Sequence, residues 1–145
     1  MTRIVVGVDG SPSSRAALVW ALDEARVRGC RVDAVAAVHH GYGAAARRIT
    51  PSGESSVQAQ IVMDEIDRVL SSNETSDIAE RQPYLAEPSP ASVLIDESLT
   101  ADLLVVGRRG AGLISGLFIG SVADQVVRHA HCTVAVIADR LPDGA

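Results

Sequence analysis

The sequence contains no lysine: all thirteen of its basic side chains are arginine. That absence excludes several chemistries at once. A Walker-type phosphate loop, a Schiff-base enzyme and a phospho-aspartate receiver domain each place a lysine in the site. Aromatic residues are nearly as scarce, at 3% of 145 residues: Trp20, Tyr42, Tyr84 and Phe118. The core must therefore be built from Val, Ala, Leu and Ile, which suits the continuous apolar strands of a buried parallel sheet. There are two cysteines, Cys30 and Cys132, and no Cys-x-x-Cys pair. This argues against a disulfide framework or a zinc ribbon, and both are read as small buried hydrophobes. Positive charge is short as well. Eighteen acidic residues against thirteen basic ones give a formal net charge of -5 and a pI near 5.2. Sequence-independent binding to nucleic acid needs the opposite balance. No run approaches the eighteen apolar residues of a membrane span. Met1-Thr2-Arg3 leads directly into Ile4-Val5-Val6, without the pattern of a secretory signal. The expectation is a cytoplasmic protein with neither a membrane nor a nucleic-acid partner.

What is present reads as one domain over residues 1–145, with a polar tail after about residue 138. Hydrophobic residues make up 47%, enough for a sizeable core. Ile4 to Val8 is a β-branched run ending at Asp9-Gly10-Ser11. Ser11 can cap the next helix, with Pro12 in its first turn and Gly29 as its stop. Leu18, Ala21, Leu22 and Ala25 form the apolar stripe of that helix. Val32 to Val38 reads as a second strand, interrupted near its start by Asp33. Residues 39–53, with three glycines and Arg47-Arg48, read as a loop or lid. A second helix is expected over about 54–71, from the spacing of Val57, Ile61, Ile66, Val69 and Leu70. Within 77–86, Pro83 points to an edge-like third strand. Ser89-Pro90 repeats the cap-and-proline signal and opens a helix through Leu99. Leu103 to Val106 is an apolar strand, and a helix over Ser121 to Ala130 precedes a last strand, Thr133 to Ile137. This alternation predicts an α/β fold with parallel strands, right-handed crossovers and helices on both faces.

In such a sheet, ligands bind at the carboxyl ends of the strands near the point where strand order reverses. Two strand ends carry unusual residues: Gly7-Val8-Asp9-Gly10-Ser11 and the segment from Gly107 to Ser121. The second holds five glycines in the fourteen residues from Gly107 to Gly120, directly before a helix start. Glycines let backbone amides approach an anion closely, and a helix N-terminus adds partial positive charge. Ser121 would contribute a hydroxyl at the helix cap, and Arg108 or Arg109 the charge that lysine supplies elsewhere.

The spacing Gly107-x2-Gly110-x9-Gly120-Ser121, together with Asp9, resembles the nucleotide-binding motif of the universal stress protein family. The likeness extends over nearly the whole chain, through Gly120-Ser121-Val122 and His129-Ala130-His131-Cys132. It implies a five-stranded parallel sheet of order 3-2-1-4-5, Rossmann-like, with ATP across strands one and four. On that resemblance, Asp9 would hold the ribose or lie near a metal bridging the phosphates; phosphate chemistry makes Mg2+ the metal expected there. Gly7 and Val8 would line the base side, and the backbone of Ala37 (or Val38) would meet the adenine. Gly107, Arg109 and Gly110 would flank the ribose and first phosphates; Gly120, Ser121 and Val122 would cradle the terminal ones. Ala123 departs from the family pattern by lacking a hydroxyl, and Glu87-Pro88 departs where a glycine usually precedes the proline.

The function expected is an ATP-binding stress-response or signalling module with no catalytic residue and at most slow hydrolysis. The alternatives are an AMP- or cAMP-binding regulator, or an ATP-using enzyme on the same fold. A phosphatase would need a second carboxylate where Gly7 stands, and no Gly-x-Ser-x-Gly elbow occurs. His129, His131 and Cys132 read as a helix end turning into a strand, not as metal ligands; no metal-ligating cluster is expected. Trp20 reads as packing. Because the last strand is apolar on both faces at a sheet edge, and because the family often pairs it, a homodimer through Thr133 to Ile137 is expected.

Overall fold

The computed structural model describes residues 1–38, 57–72, 79–85, 89–109 and 119–139. The elements alternate as expected: β1 (Arg3–Val8), α1 (Pro12–Arg28), β2 (Arg31–Val38), α2 (Val57–Ser72), β3 (Ala79–Leu85), α3 (Pro90–Glu97), β4 (Leu103–Gly107), α4 (Ser121–His129) and β5 (Thr133–Ile137). The five strands form one parallel sheet of order β3-β2-β1-β4-β5. β3, with Pro83, lies at one edge and β5 at the other. The expected lid at 39–53, with His39, His40 and the Arg47-Arg48 pair, falls outside the described residues, as does Glu87-Pro88.

Local chemistry sets the helix ends. Ser11 and Ser89 are N-caps: each side-chain oxygen accepts the amide three residues on, from Ser14 and Ser92, at 3.2 Å, with proline in the first turn. Such a cap contributes about 1 kcal/mol. Gly29 closes α1 in the left-handed region at φ 65°, where its N–H reaches Ala25. The third helix ends at Glu97, earlier than the periodicity suggests, and passes into turns at 98–100.

The central strands β1, β2 and β4 are buried on both sides. Ile4, Val6, Val8, Val32, Ala34, Ala36, Leu103 and Val105 meet α1 and α2 on one face. Val5, Val35, Leu104 and Val106 meet α3 and α4 on the other. Each fully buried Val, Leu or Ile contributes about 1.5–3 kcal/mol, so these layers replace the missing aromatics. Trp20 packs half-buried against the first cluster.

Asp33 does not interrupt β2; it lies inside the strand, paired in register with Val5. It is fully buried, and its carboxylate accepts Arg3 Nε at 2.5 Å and Arg31 Nε at 3.1 Å. Arg3 also reaches Glu97 at 2.6 Å and Thr100 at 2.9 Å. Burial works to lower the Arg3 pKa, but hydrogen bonds and charge from Glu97 and Asp33 outweigh it and leave it raised. Beside this group, one Asp102 oxygen accepts the amides of Thr2 and Arg3, at 2.8 and 2.9 Å. These ties hold the amino end of the sheet together, leaving the carboxyl end for the loops.

Candidate functional site

Strand order reverses between β1 and β4, which are neighbours (Val6 beside Val105) although far apart in sequence. Their carboxyl ends therefore bring together the two segments singled out above, one after Val8 and one at Gly107.

On the β1 side the chain turns sharply. Gly10 has φ 89°, a region that side chains other than glycine rarely adopt. Asp9 Oδ1 accepts the Ser11 amide at 2.9 Å, and the Asp9 amide donates to Ser14 Oγ at 3.2 Å. Ser14 Oγ in turn donates to the Ser11 carbonyl at 3.0 Å. Asp9 is thus both turn former and half-buried carboxylate at the mouth of the crevice. The expected base-lining residues divide differently. Val8 is buried in the α1–α2 core, so only its backbone is available to a ligand. Gly7 faces α3, where a Cβ would lie 2.7 Å from Leu94 Cδ1. Both are shaped by packing, a role that motif spacing cannot reveal when each sheet face is buried.

On the β4 side, Gly107 answers a closer constraint. A Cβ there would sit 2.7 Å from the Ser13 carbonyl carbon and the Ser14 nitrogen. Its bareness lets the strand end press against the first turn of α1. The Arg108 amide then donates to the Ile137 carbonyl at 2.8 Å, and the Arg108 carbonyl accepts the Gly120 amide at 2.6 Å. This neck holds the two ends of the glycine-rich segment together and sets the N-terminus of α4 beside the end of β4. The Arg108 Nε is buried and has no hydrogen-bond partner among the described residues. Arg109 is engaged: its carbonyl accepts Ser11 Oγ at 3.3 Å, and its guanidinium pairs with Asp139 at 3.3 Å. Gly110 lies outside the described residues.

At α4 the sequence placed the cap one residue late. Gly120, extended at φ −66° and ψ 159°, is the N-cap; Ser121 is the first helical residue and exposed, and among the described residues no side chain caps the helix. The first amides of a helix have no intrahelical acceptor, and those of Ser121 and Val122 meet no side-chain cap among the described residues. Val122 packs against the second core, and Ala123 is buried there. The missing hydroxyl at 123 thus spares the core a polar group. Ala37 lies near the end of β2, in register with Tyr84; its strand is adjacent to β1, one position beyond the Val8–Ala36 pair.

Two features escaped the sequence reading. Asp139, expected in a fraying tail, is anchored to Ser13 Oγ and to Arg109. Ser13 and Ser14, both buried, form the floor between α1 and β4. Only the run of serines after Asp9 hinted at this.

At the far end of β5's helix, no group of three or more His, Cys, Asp or Glu gathers as a metal site among the described residues. The His131 amide donates to Ser98 Oγ at 2.9 Å. Cys30 is buried, but Cys132 is only half-buried. Burial pushes the Cys132 thiol up, Asp102 adds to this, and a Leu104 backbone hydrogen bond opposes it. A raised thiol is a poor nucleophile at neutral pH.

Comparison with known proteins gives a consistent result. A sequence profile described as the Universal stress protein family matches residues 1–138. The universal stress protein Rv2623 of Mycobacterium tuberculosis is 34% identical over 140 residues, covering 94% of this chain and 47% of its own length. The chain thus spans about half the length of the curated relatives it matches. Among solved structures, a universal stress protein in complex with cAMP is similar at TM-score 0.67 and 24% identity, covering 96% of this chain and 98% of that one. The universal stress protein of Archaeoglobus fulgidus in complex with dAMP is similar at TM-score 0.66 and 22% identity, covering 94% and 98%. These two likenesses are of fold. No helix among the described residues is long and apolar enough to cross a membrane.

Proposed function

This chain belongs to the universal stress protein family, and from that premise we propose that it binds an adenine nucleotide between the ends of β1 and β4. The observation that carries the reading is the neck at Arg108 and Gly120. It holds an α4 N-terminus, uncapped by any side chain among the described residues, next to the strand-order reversal, where α/β sheets take their ligands. The complexes with cAMP and dAMP support the same ligand class in similar folds.

In this reading Gly107, Arg109 and Gly110 flank the ribose and first phosphates of ATP, and Gly120, Ser121 and Val122 cradle the terminal ones through backbone amides and the helix dipole. Arg108 supplies a donor where lysine is absent, and Asp9 approaches the ribose. The adenine rests beside the backbone of Gly7, Val8 and Ala37. The open amides at α4 and the open Arg108 donor suit phosphate oxygens. Mg2+, if taken up, would be held mainly through those phosphates, with Asp9 as the protein carboxylate near it, and would neutralise their charge. None of these groups is a general base poised for water, so ATP hydrolysis should run well below the ~1 s⁻¹ of ordinary enzymes. The module is read as one whose partners depend on nucleotide occupancy.

Isothermal titration of ATP, AMP and cAMP tests this directly. Binding is expected for at least one, and it should be lost in Gly120→Val, which crowds the cap. Silence with all three nucleotides overturns the reading. The same premise includes a homodimer through β5, whose residues Val134 to Ile137 are half-buried at a sheet edge. Sedimentation at micromolar concentration should find a dimer; a strict monomer rejects that part alone.

A further inference from the structure

Helix α1 has no acidic residue in its first turn, although a carboxylate there is favoured by the helix dipole. The chain supplies one from its other end. Asp139, two residues past β5, accepts Ser13 Oγ on one oxygen and pairs with Arg109 Nη2 at 3.3 Å on the other. Ser13 is in the first turn of α1 and only 1% exposed, while Arg109 lies two residues past β4. One carboxylate therefore joins three elements: α1, the strand-four loop and the segment after β5. It also occupies the guanidinium that a nearby anion would otherwise use.

We propose that Asp139 is a resident counter-ion, which competes with an anionic ligand for Arg109 and so couples ligand binding after β4 to the tie between Asp139 and Ser13 of α1. This rests on the nucleotide reading above. A phosphate drawn to Arg109 must either share it with Asp139 or displace the carboxylate. Displacement loosens Asp139 from Arg109 and from Ser13 in the first turn of α1. Linkage is reciprocal: whatever holds Asp139 in place weakens the ligand by the same factor. The competition grows with ligand charge, so it should bear on ATP more than on AMP.

The test is titration of ATP and AMP against the wild type, Asp139→Asn, Arg109→Gln and the double variant. Asp139→Asn should tighten ATP about two- to fivefold, the range of a partly exposed ion pair, with a smaller change for AMP. The gain should vanish on the Arg109→Gln background. Ser13→Ala, which loosens Asp139 without removing its charge, should move ATP in the same direction by less, and serves if the first variant folds poorly. Wild type binding nucleotide while Asp139→Asn leaves ATP unchanged or weaker overturns the counter-ion and spares the nucleotide site. Absence of binding by every form, wild type included, overturns the site itself and the proposal with it.

Discussion

At the scale of single residues, glycines in this chain answer different demands. Gly107 yields to backbone: a Cβ would meet Ser13 and Ser14 main-chain atoms at 2.7 Å. Gly7 yields to the tip of the Leu94 side chain at the same distance, which can rotate or shift. Gly107→Ala should therefore cost more than Gly7→Ala, toward the upper part of the ~1–3 kcal/mol range for overpacking. Urea denaturation of both variants checks the order; equal losses would show that the β4–α1 approach is softer than drawn. Motif spacing made both positions legible as glycine-rich strand ends, but not the reason for either. Val8 shows why. In a strand buried on two faces, neighbouring positions have the same apolar character, so no pattern says which side a residue serves.

Elements were more readable, because their ends carry local signals. Ser11-Pro12, Gly29 and Ser89-Pro90 each act over three or four residues, and each ends or starts a helix where the chain indicates. The cap of α4 slipped from Gly120 to Ser121 because a hydroxyl is the stronger signal in sequence, whereas the backbone of Gly120 does the capping. Asp33 was misleading for a different reason: its partner Arg3 is thirty residues away. Together they fasten β1, β2 and, through Glu97, α3. Removing Asp33 takes from Arg3 the fully buried one of its two carboxylate partners and leaves Glu97, so Asp33→Ala should cost about 3 kcal/mol, the low end for such losses because Arg31 is half-exposed. A shift of the urea midpoint with unchanged slope is the expected sign.

Across the whole molecule, the chain's two ends are tied to its middle. Asp102, at the entry to β4, holds the amides of Thr2 and Arg3, and these bonds keep its pKa below the ordinary 3.8. The folded state therefore binds fewer protons there than the unfolded one. Its stabilising effect is complete above about pH 4 and is lost as pH falls through the lowered value. Asp102→Asn should flatten the acid limb of the stability curve, so that wild type and variant converge at low pH; parallel curves would reject this. Long-range ties of this kind, and that of Asp139, are what a single sequence hides, whereas the α/β alternation and the strand-four motif were open to it. The neck at Arg108 and Gly120 carries one more implication. Through its amide to Ile137 and its carbonyl to Gly120, the single residue Arg108 answers to the end of β5 and to the start of α4 at once. A movement of this one residue is therefore felt at both elements together, so the β5 edge and the first turn of α4 should loosen in the same step when the chain is strained.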